Sequence, residues 1–295
     1  MIKNPNQQNG AELAGLLADY LTDLQAAGID RLGHAKPETL ERLFPEPTEE
    51  PVSEPVALPI SEPISAAVFD SELHQASILP SSDCITAMKT KIDELLANFN
   101  PKSGKKAKSD LLARLAQLVS GCTLCPELAA YRTNTVFGDG NPAAELVFIG
   151  EGPGADEDRQ GLPFVGRSGQ LLTDIIVKGM KMSRSDVYIC NIVRCRPPEN
   201  RAPTPVESAC CRPFLDATLS IIRPKYICCL GSTAAHQLLD TDETIGRLRG
   251  RLLDYNGAKV VCTYHPAYLL RNPPAKTQTW EDIKLLLRAM GKMDS

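Results

Sequence analysis

ELVFIGEGPGADEDRQGLPFVGRSGQLL, residues 145–172, holds in one line a buried strand, a turn and the start of a helix. The short apolar run ELVFIG (145–150) has the length of a strand covered on both faces. Gly150, Gly152 and Gly154 then break it with a turn, and helical periodicity begins at Ser168. Outward from this unit the pattern repeats. VYICN (187–191), KYICCLG (225–231) and KVVCTY (259–264) read as three more buried strands, and 168–181, 205–222, 232–240 and 280–290 read as helices. Strands alternating with helices predict a three-layer α/β/α domain with a central four-stranded parallel sheet. In such folds ligands bind beyond the carboxyl ends of the strands, so each candidate residue should sit just after a strand.

Residues 1–104 differ in kind. They carry 7 Lys/Arg against 16 Asp/Glu, net −9, whereas residues 105–295 carry 25 against 20, net +5. The overall charge of −4 therefore hides a basic half, which is the half to inspect for polyanion binding. Residues 10–27 and 83–98 read as short helices. Between them, Pro45 to Pro63 holds six prolines and five glutamates with no Lys or Arg. That composition cannot bury enough apolar surface to offset chain entropy, which predicts a largely disordered N-terminal extension over 1–104. PKSGKKAKSD (101–110) reads as a basic hinge leading into a folded domain over 105–295. No apolar run approaches the roughly 18 residues of a membrane span, and the first residues lack a signal-peptide pattern. Both point to a cytosolic protein with reduced thiols and no membrane partner.

Ten cysteines then need a purpose other than disulfides. Cys190, Cys228, Cys229 and Cys262 lie inside the strand runs and read as core. Cys122 and Cys125 form a C-x2-C pair, followed by Cys195 and the Cys210–Cys211 pair. Four thiolates in tetrahedral array mean zinc or an iron–sulphur cluster, and the spacing leaves both open.

The loops after the strands carry the remaining signals. The turn 150–154 lacks the Lys-Ser/Thr of a Walker loop and does not match G-x-G-x-x-G. Its flanking Glu151, Asp156, Glu157 and Asp158 suit a developing cation better than a phosphate. Phe164 follows Pro163, Asn191 ends the second strand, and His265 follows the fourth. A strand-end Asn suits the edge of a base, although turn capping explains it equally well. Leu269 and Leu270, followed by Arg271 and Asn272, have the composition of a wedge that enters DNA where a base has been extruded; an ordinary helix start is the rival reading.

Taken together, GEGPGADED-x4-PFVGRSGQLL, NIVRCRPPENRAPTPVESACCRPFL, RPKYICCLG and YHPAYLLRNP resemble the family 4 uracil-DNA glycosylases over roughly residues 115–290. The resemblance implies hydrolysis of uracil from DNA to leave an abasic site, and one [4Fe–4S] cluster on Cys122, Cys125, Cys195 and Cys211, with Cys210 a spectator. It also implies that Phe164 stacks on the everted uracil, that Asn191 reads N3–H and O4, and that His265 sits at O2. Glu151, Gly152, Glu157 and Asn200 match positions that line or support the pocket. Gly152 stands where the best-known uracil glycosylases carry a water-orienting Asp, so Glu151 or Glu157 is expected to hold the water. Arg167, Arg247, Arg249, Arg251 and Arg271 are candidates for phosphate contacts, where they would position the duplex without reading its sequence; for any one alone a solvated surface charge is the rival reading. The expected state is a monomer acting on uracil-containing DNA. Residues 1–104 are expected to be dispensable for base release and to tether a protein partner. A non-enzymatic cluster-bearing nucleic-acid module and a zinc protein of the same fold are the rival readings.

Overall fold

The computed structural model describes residues 82–293. The expected helix at 10–27, the acidic linker at 45–63 and the disorder expected of the extension ahead of residue 82 lie outside the described residues. Among the described residues six strands form one sheet: β1 (Asp139–Gly140), β2 (Leu146–Gly150), β3 (Tyr188–Asn191), β4 (Tyr226–Leu230), β5 (Leu253–Tyr255) and β6 (Ala258–Thr263), in the order β1-β3-β2-β4-β6-β5. The four expected strands are the four parallel ones, β3-β2-β4-β6. To them the structure adds β1 and β5, which pair antiparallel at the two edges. Neither could be seen as an apolar run: one is the dipeptide Asp-Gly, and the other, Leu-Asp-Tyr, has a charged centre.

Around the sheet lie helices α1 (Ser82–Leu96), α2 (Lys105–Ser120), α3 (Pro126–Tyr131), α4 (Ala155–Gln160) and α5 (Arg167–Asp174). After them come α6 (Pro205–Ile222), α7 (Ser232–Leu239), α8 (Ile245–Leu248), α9 (Pro266–Arg271) and α10 (Ala275–Ala289). A π-helical turn, Ile175–Gly179, continues α5. Alternate residues of each strand face opposite helical layers. Val147, Ile149, Cys229 and Cys262 pack with Leu115 of α2 and Phe214 and Leu215 of α6. Leu146, Phe148 and Cys228 pack with Leu172 of α5 and Ile283 and Leu286 of α10. Both faces of β2 and β3 are therefore buried, as parallel strands between two helical layers require. The four strand cysteines are buried with them, as expected of core thiols.

Helix α6 begins where its sequence says it should. Thr204 Oγ1 accepts the Glu207 N–H, the Glu207 carboxylate accepts the Thr204 N–H, and Pro205 needs no donor at the first position. The expected hinge at 101–110 is a correction. Lys105 to Asp110 form the first turns of α2, and Lys108 is buried with its Nζ on the Ile222 carbonyl at 2.9 Å. That lysine satisfies an orphan carbonyl at the end of α6, which a local reading of a lysine-rich stretch cannot foresee. α1 also packs inward, and its Ile92 is 3% exposed. With β3 on one side of β2 and β4 on the other, the strand order reverses at β2. The carboxyl ends of β2, β3 and β6 bring the segments 151–166, 192–201 and 264–272 to one edge.

Candidate active site

The site is built around Gly150, the last residue of β2. A Cβ there would lie 2.5 Å from Asn191 Oδ1 and 2.5 Å from Phe164 Cζ, so only glycine lets those groups meet above the strand end. Asn191 ends β3, alongside Gly150 in register. Its side chain is buried, and Oδ1 has no hydrogen-bond partner among the described residues. A buried polar atom left unpaired is costly, and it marks a position that expects a donor from elsewhere.

Phe164 adopts φ 53°, the left-handed region that bulky residues avoid. Strain of roughly 1–3 kcal/mol persists only where neighbours over-determine the conformation, and here they do. Glu157 Oε1 accepts the N–H groups of Val165 (2.9 Å) and Gly166 (2.8 Å), and its Oε2 accepts that of Gly154 (3.2 Å). Arg184 Nη2 holds the Pro163 carbonyl at 2.5 Å. Gly169 passes beneath, where a Cβ would lie 2.0 Å from the Phe164 carbonyl carbon. Glu157, expected as one of two water-holding carboxylates, thus has both oxygens engaged by backbone and braces the Phe164 loop. Glu151 is different: Oε2 takes one hydrogen bond, from Thr233 Oγ1 at 2.5 Å, at the start of α7.

His265 caps α9, its Nδ1 accepting the Ala267 N–H at 3.1 Å. Burial, and then the nearby Arg271 cation, push its pKa down from the ordinary 6.5 to about 4. The ring is therefore neutral at ordinary pH. With Nδ1 acting as acceptor, the proton sits on Nε2, which is a donor. The His265 and Phe164 rings lie 5.7 Å apart. Glu151, Gly152, Glu157, Phe164, Asn191, Asn200, His265 and Arg271 all line one cleft of about 350 Å³, within the usual range for ligand sites. Asn200 has its amide oxygen held by Arg196 Nε at 2.8 Å. Arg201 and Tyr268 also line the cleft and were not foreseen. Arg201 was hidden because it reads as one more basic residue; the structure ties it to Glu207 in a bidentate pair.

The two leucines expected at DNA separate. Leu269 is 1% exposed and packs into the protein, whereas Leu270 is 39% exposed, as is Tyr268. Of the two leucines, Leu270 alone is exposed. Arg167, Arg247 and Arg271 are exposed. Arg249 is instead held by the buried Asp282 at 3.1 Å and lies over the Tyr264 ring, and Arg251 pairs with Glu243 at 3.1 Å.

The cysteines expected as ligands converge from three segments. Burial raises the Cys125 thiol, and neighbouring Cys211, Cys210 and Cys195 raise it further. Burial pushes Cys211 up to about 12, with Cys195 and Cys122 adding to it against the Arg194 backbone N–H. Cys211 thus stands near all three other candidates. Cys210 stands near Cys125, Cys122 and Glu207. Arg132 Nη1 donates to Cys195 Sγ at 3.0 Å. Among the described residues no three His, Cys, Asp or Glu side chains stand close enough to share one metal ion. Thiols brought together from three segments, with a cationic donor at one sulphur, are the donor chemistry that a thiolate-held metal centre would use.

No helix among the described residues is long and apolar enough to cross a membrane. Residues 137–284 match the model of the uracil DNA glycosylase superfamily. The chain is 48% identical to a type-4 uracil-DNA glycosylase of Thermotoga maritima, over 56% of this chain and 86% of that protein. It is 41% identical to one of Saccharolobus solfataricus, over 61% and 87%. A type-5 uracil-DNA glycosylase of Thermus thermophilus matches more weakly, at 29% over 42% of this chain and 69% of its own.

Proposed function

Since the chain belongs to the type-4 uracil-DNA glycosylases, DNA repair enzymes that hydrolyse the bond between uracil and its deoxyribose, we propose that this bond breaks in the strand-end cleft. The observation that carries the assignment is Asn191 Oδ1, buried and unpaired beside Phe164 and His265. An everted uracil stacked on Phe164 offers its N3–H to Asn191 Oδ1 and accepts from Asn191 Nδ2 at O4. Cytosine would set its 4-amino group against that same Nδ2, donor against donor, and leave buried groups unpaired.

As the bond from N1 to C1′ stretches, its electron pair moves to the base and the sugar becomes cationic. The charge developing at O2 meets the Nε2–H of neutral His265, a donor fixed in place before the reaction. The Glu151 carboxylate faces the cationic sugar, orients the attacking water and takes its proton as the new bond to C1′ forms. Thr233 holds that carboxylate by Oε2. Glu157 acts indirectly, by fixing the loop that presents Phe164. Leu270 fills the gap left in the duplex, and Arg167, Arg247 and Arg271 meet phosphates. The protein acts as a monomer, and the acidic segment ahead of residue 82 tethers a partner.

We also propose that Cys122, Cys125, Cys195 and Cys211 hold a [4Fe–4S] cluster. Bound there, it would cross-link the three segments and supply rigidity. Iron and sulphide analysis with visible spectroscopy separates it from zinc, whose filled d shell gives no such absorption. The function is tested by uracil release from a single-uracil oligonucleotide by protein purified without air. Wild-type protein should release uracil, and His265→Ala and Asn191→Ala should each slow release at least a hundredfold; near-wild-type rates in both would refute the pocket.

A further inference from the structure

Arg194 lies just before Cys195, and its side chain is 0% exposed. Among the described residues no carboxylate stands within ion-pair distance of it. Its Nη1 donates to the backbone carbonyl of Asn191. Nη2 reaches Thr218 Oγ1 at 3.5 Å, the limit of a hydrogen bond, and Nε has no partner. The guanidinium also lies 5.5 Å from the centre of the Phe137 ring. One carbonyl, one distant hydroxyl and a ring face do not neutralise a cation. Arginine cannot shed its proton, and an unpaired charge sealed from water is among the costliest groups to bury.

What surrounds it is sulphur. The guanidinium stands near the core thiol of Cys190, and both it and the Arg194 backbone N–H stand near the thiol of Cys211, a proposed ligand. Arg132 also bonds Cys195, but that side chain is only half-buried and keeps access to water. Four thiolates outweigh the positive charge of the iron core they hold, so the missing anion is at hand once the proposed cluster is bound. We propose that Arg194 is the buried counter-charge of the thiolate-held cluster and, through the Asn191 carbonyl, a positioning residue that ties the cluster to the strand end reading the base. This rests on the cluster reading above. It makes cluster and pocket mechanically continuous: the thiolates stabilise the cation, and the cation holds the backbone of the residue that recognises uracil.

The test uses the full chain purified without air, as wild type, Arg194→Met, Arg194→Gln and Arg194→Lys. Iron per chain, the rate of iron release to a chelator and the cluster midpoint potential are measured. The methionine and glutamine variants should release iron at least tenfold faster, with a more negative potential because a nearby positive charge is gone. Lysine should bring release back to within about threefold of wild type. Loaded glutamine variant should also lose kcat with little change in KM. If the methionine variant does not fold, the glutamine variant decides. Wild-type release and potential in the glutamine variant would overturn the proposal, and so would a lysine variant as labile as the neutral ones. Wild type without iron would overturn the cluster reading itself, an outcome separate from both.

Discussion

Thr233→Val removes one hydrogen bond and little else. The hydroxyl donates to Glu151 Oε2 at 2.5 Å from the first turn of α7, and valine keeps the shape while losing the donor. Hydrogen bonds to charged groups contribute about 1.5–3 kcal/mol. The cleft is open to water, so the lower end applies, and about 1.4 kcal/mol is tenfold in rate. Because Glu151 is assigned to the water and the sugar cation, the loss should fall on kcat, about tenfold, with KM for uracil DNA within about twofold. The assay is single-turnover release of uracil from a single-uracil oligonucleotide, scored by alkaline cleavage at the abasic site, with a substrate series for KM. Thr233→Ser restores the donor and should restore most of the rate. A valine variant as fast as wild type, or a serine variant as slow as valine, would refute the reasoning.

His265 gives a pH prediction. Its folded pKa of about 4 lies below the ordinary 6.5, so the unfolded chain takes up the proton first as pH falls. Its stabilising contribution is complete above about pH 6.5 and is lost as pH drops towards about 4. The wild-type Tm should therefore fall more steeply over that window than that of His265→Ala; equal slopes would contradict the assigned burial. Leu270→Ala should slow release from duplex more than from single strands without changing Tm, whereas Leu269→Ala should cost about 2–5 kcal/mol of stability; equal Tm losses would contradict their opposite exposures. A chain starting at Ser82 should match the full protein in Tm and base release. One starting at Lys105 loses α1 and the burial of Ile92, and should melt several degrees lower; an unchanged Tm would show that α1 adds nothing.

The parallel core was legible because four apolar runs of strand length stand between helical stretches; Asn191 and His265 stood out at strand ends, while the roles expected of them and of Phe164 came from the family resemblance. The edge strands were not, being two and three residues long and partly polar. Lys108 misled the hinge reading because its partner, the Ile222 carbonyl, is 114 residues away. The same distance hid Thr233, which is 82 residues from Glu151. Leu269 and Leu270 are adjacent on a helix and point about 100° apart, so composition alone could not say which faces outward. Glu157 and Glu151 are both acidic residues of one loop. What separates them is the three backbone N–H groups that Glu157 accepts and the single Thr233 hydroxyl that Glu151 accepts.

The most direct test of the everted-uracil site is the single-turnover rate of uracil release by Asn191→Ala, with iron content and Tm confirmed equal to wild type. A loss of at least a hundredfold is expected, because the buried, unpaired acceptor at the end of β3 is gone. A rate within twofold of wild type would mean that the base is held somewhere other than above β2 and β3.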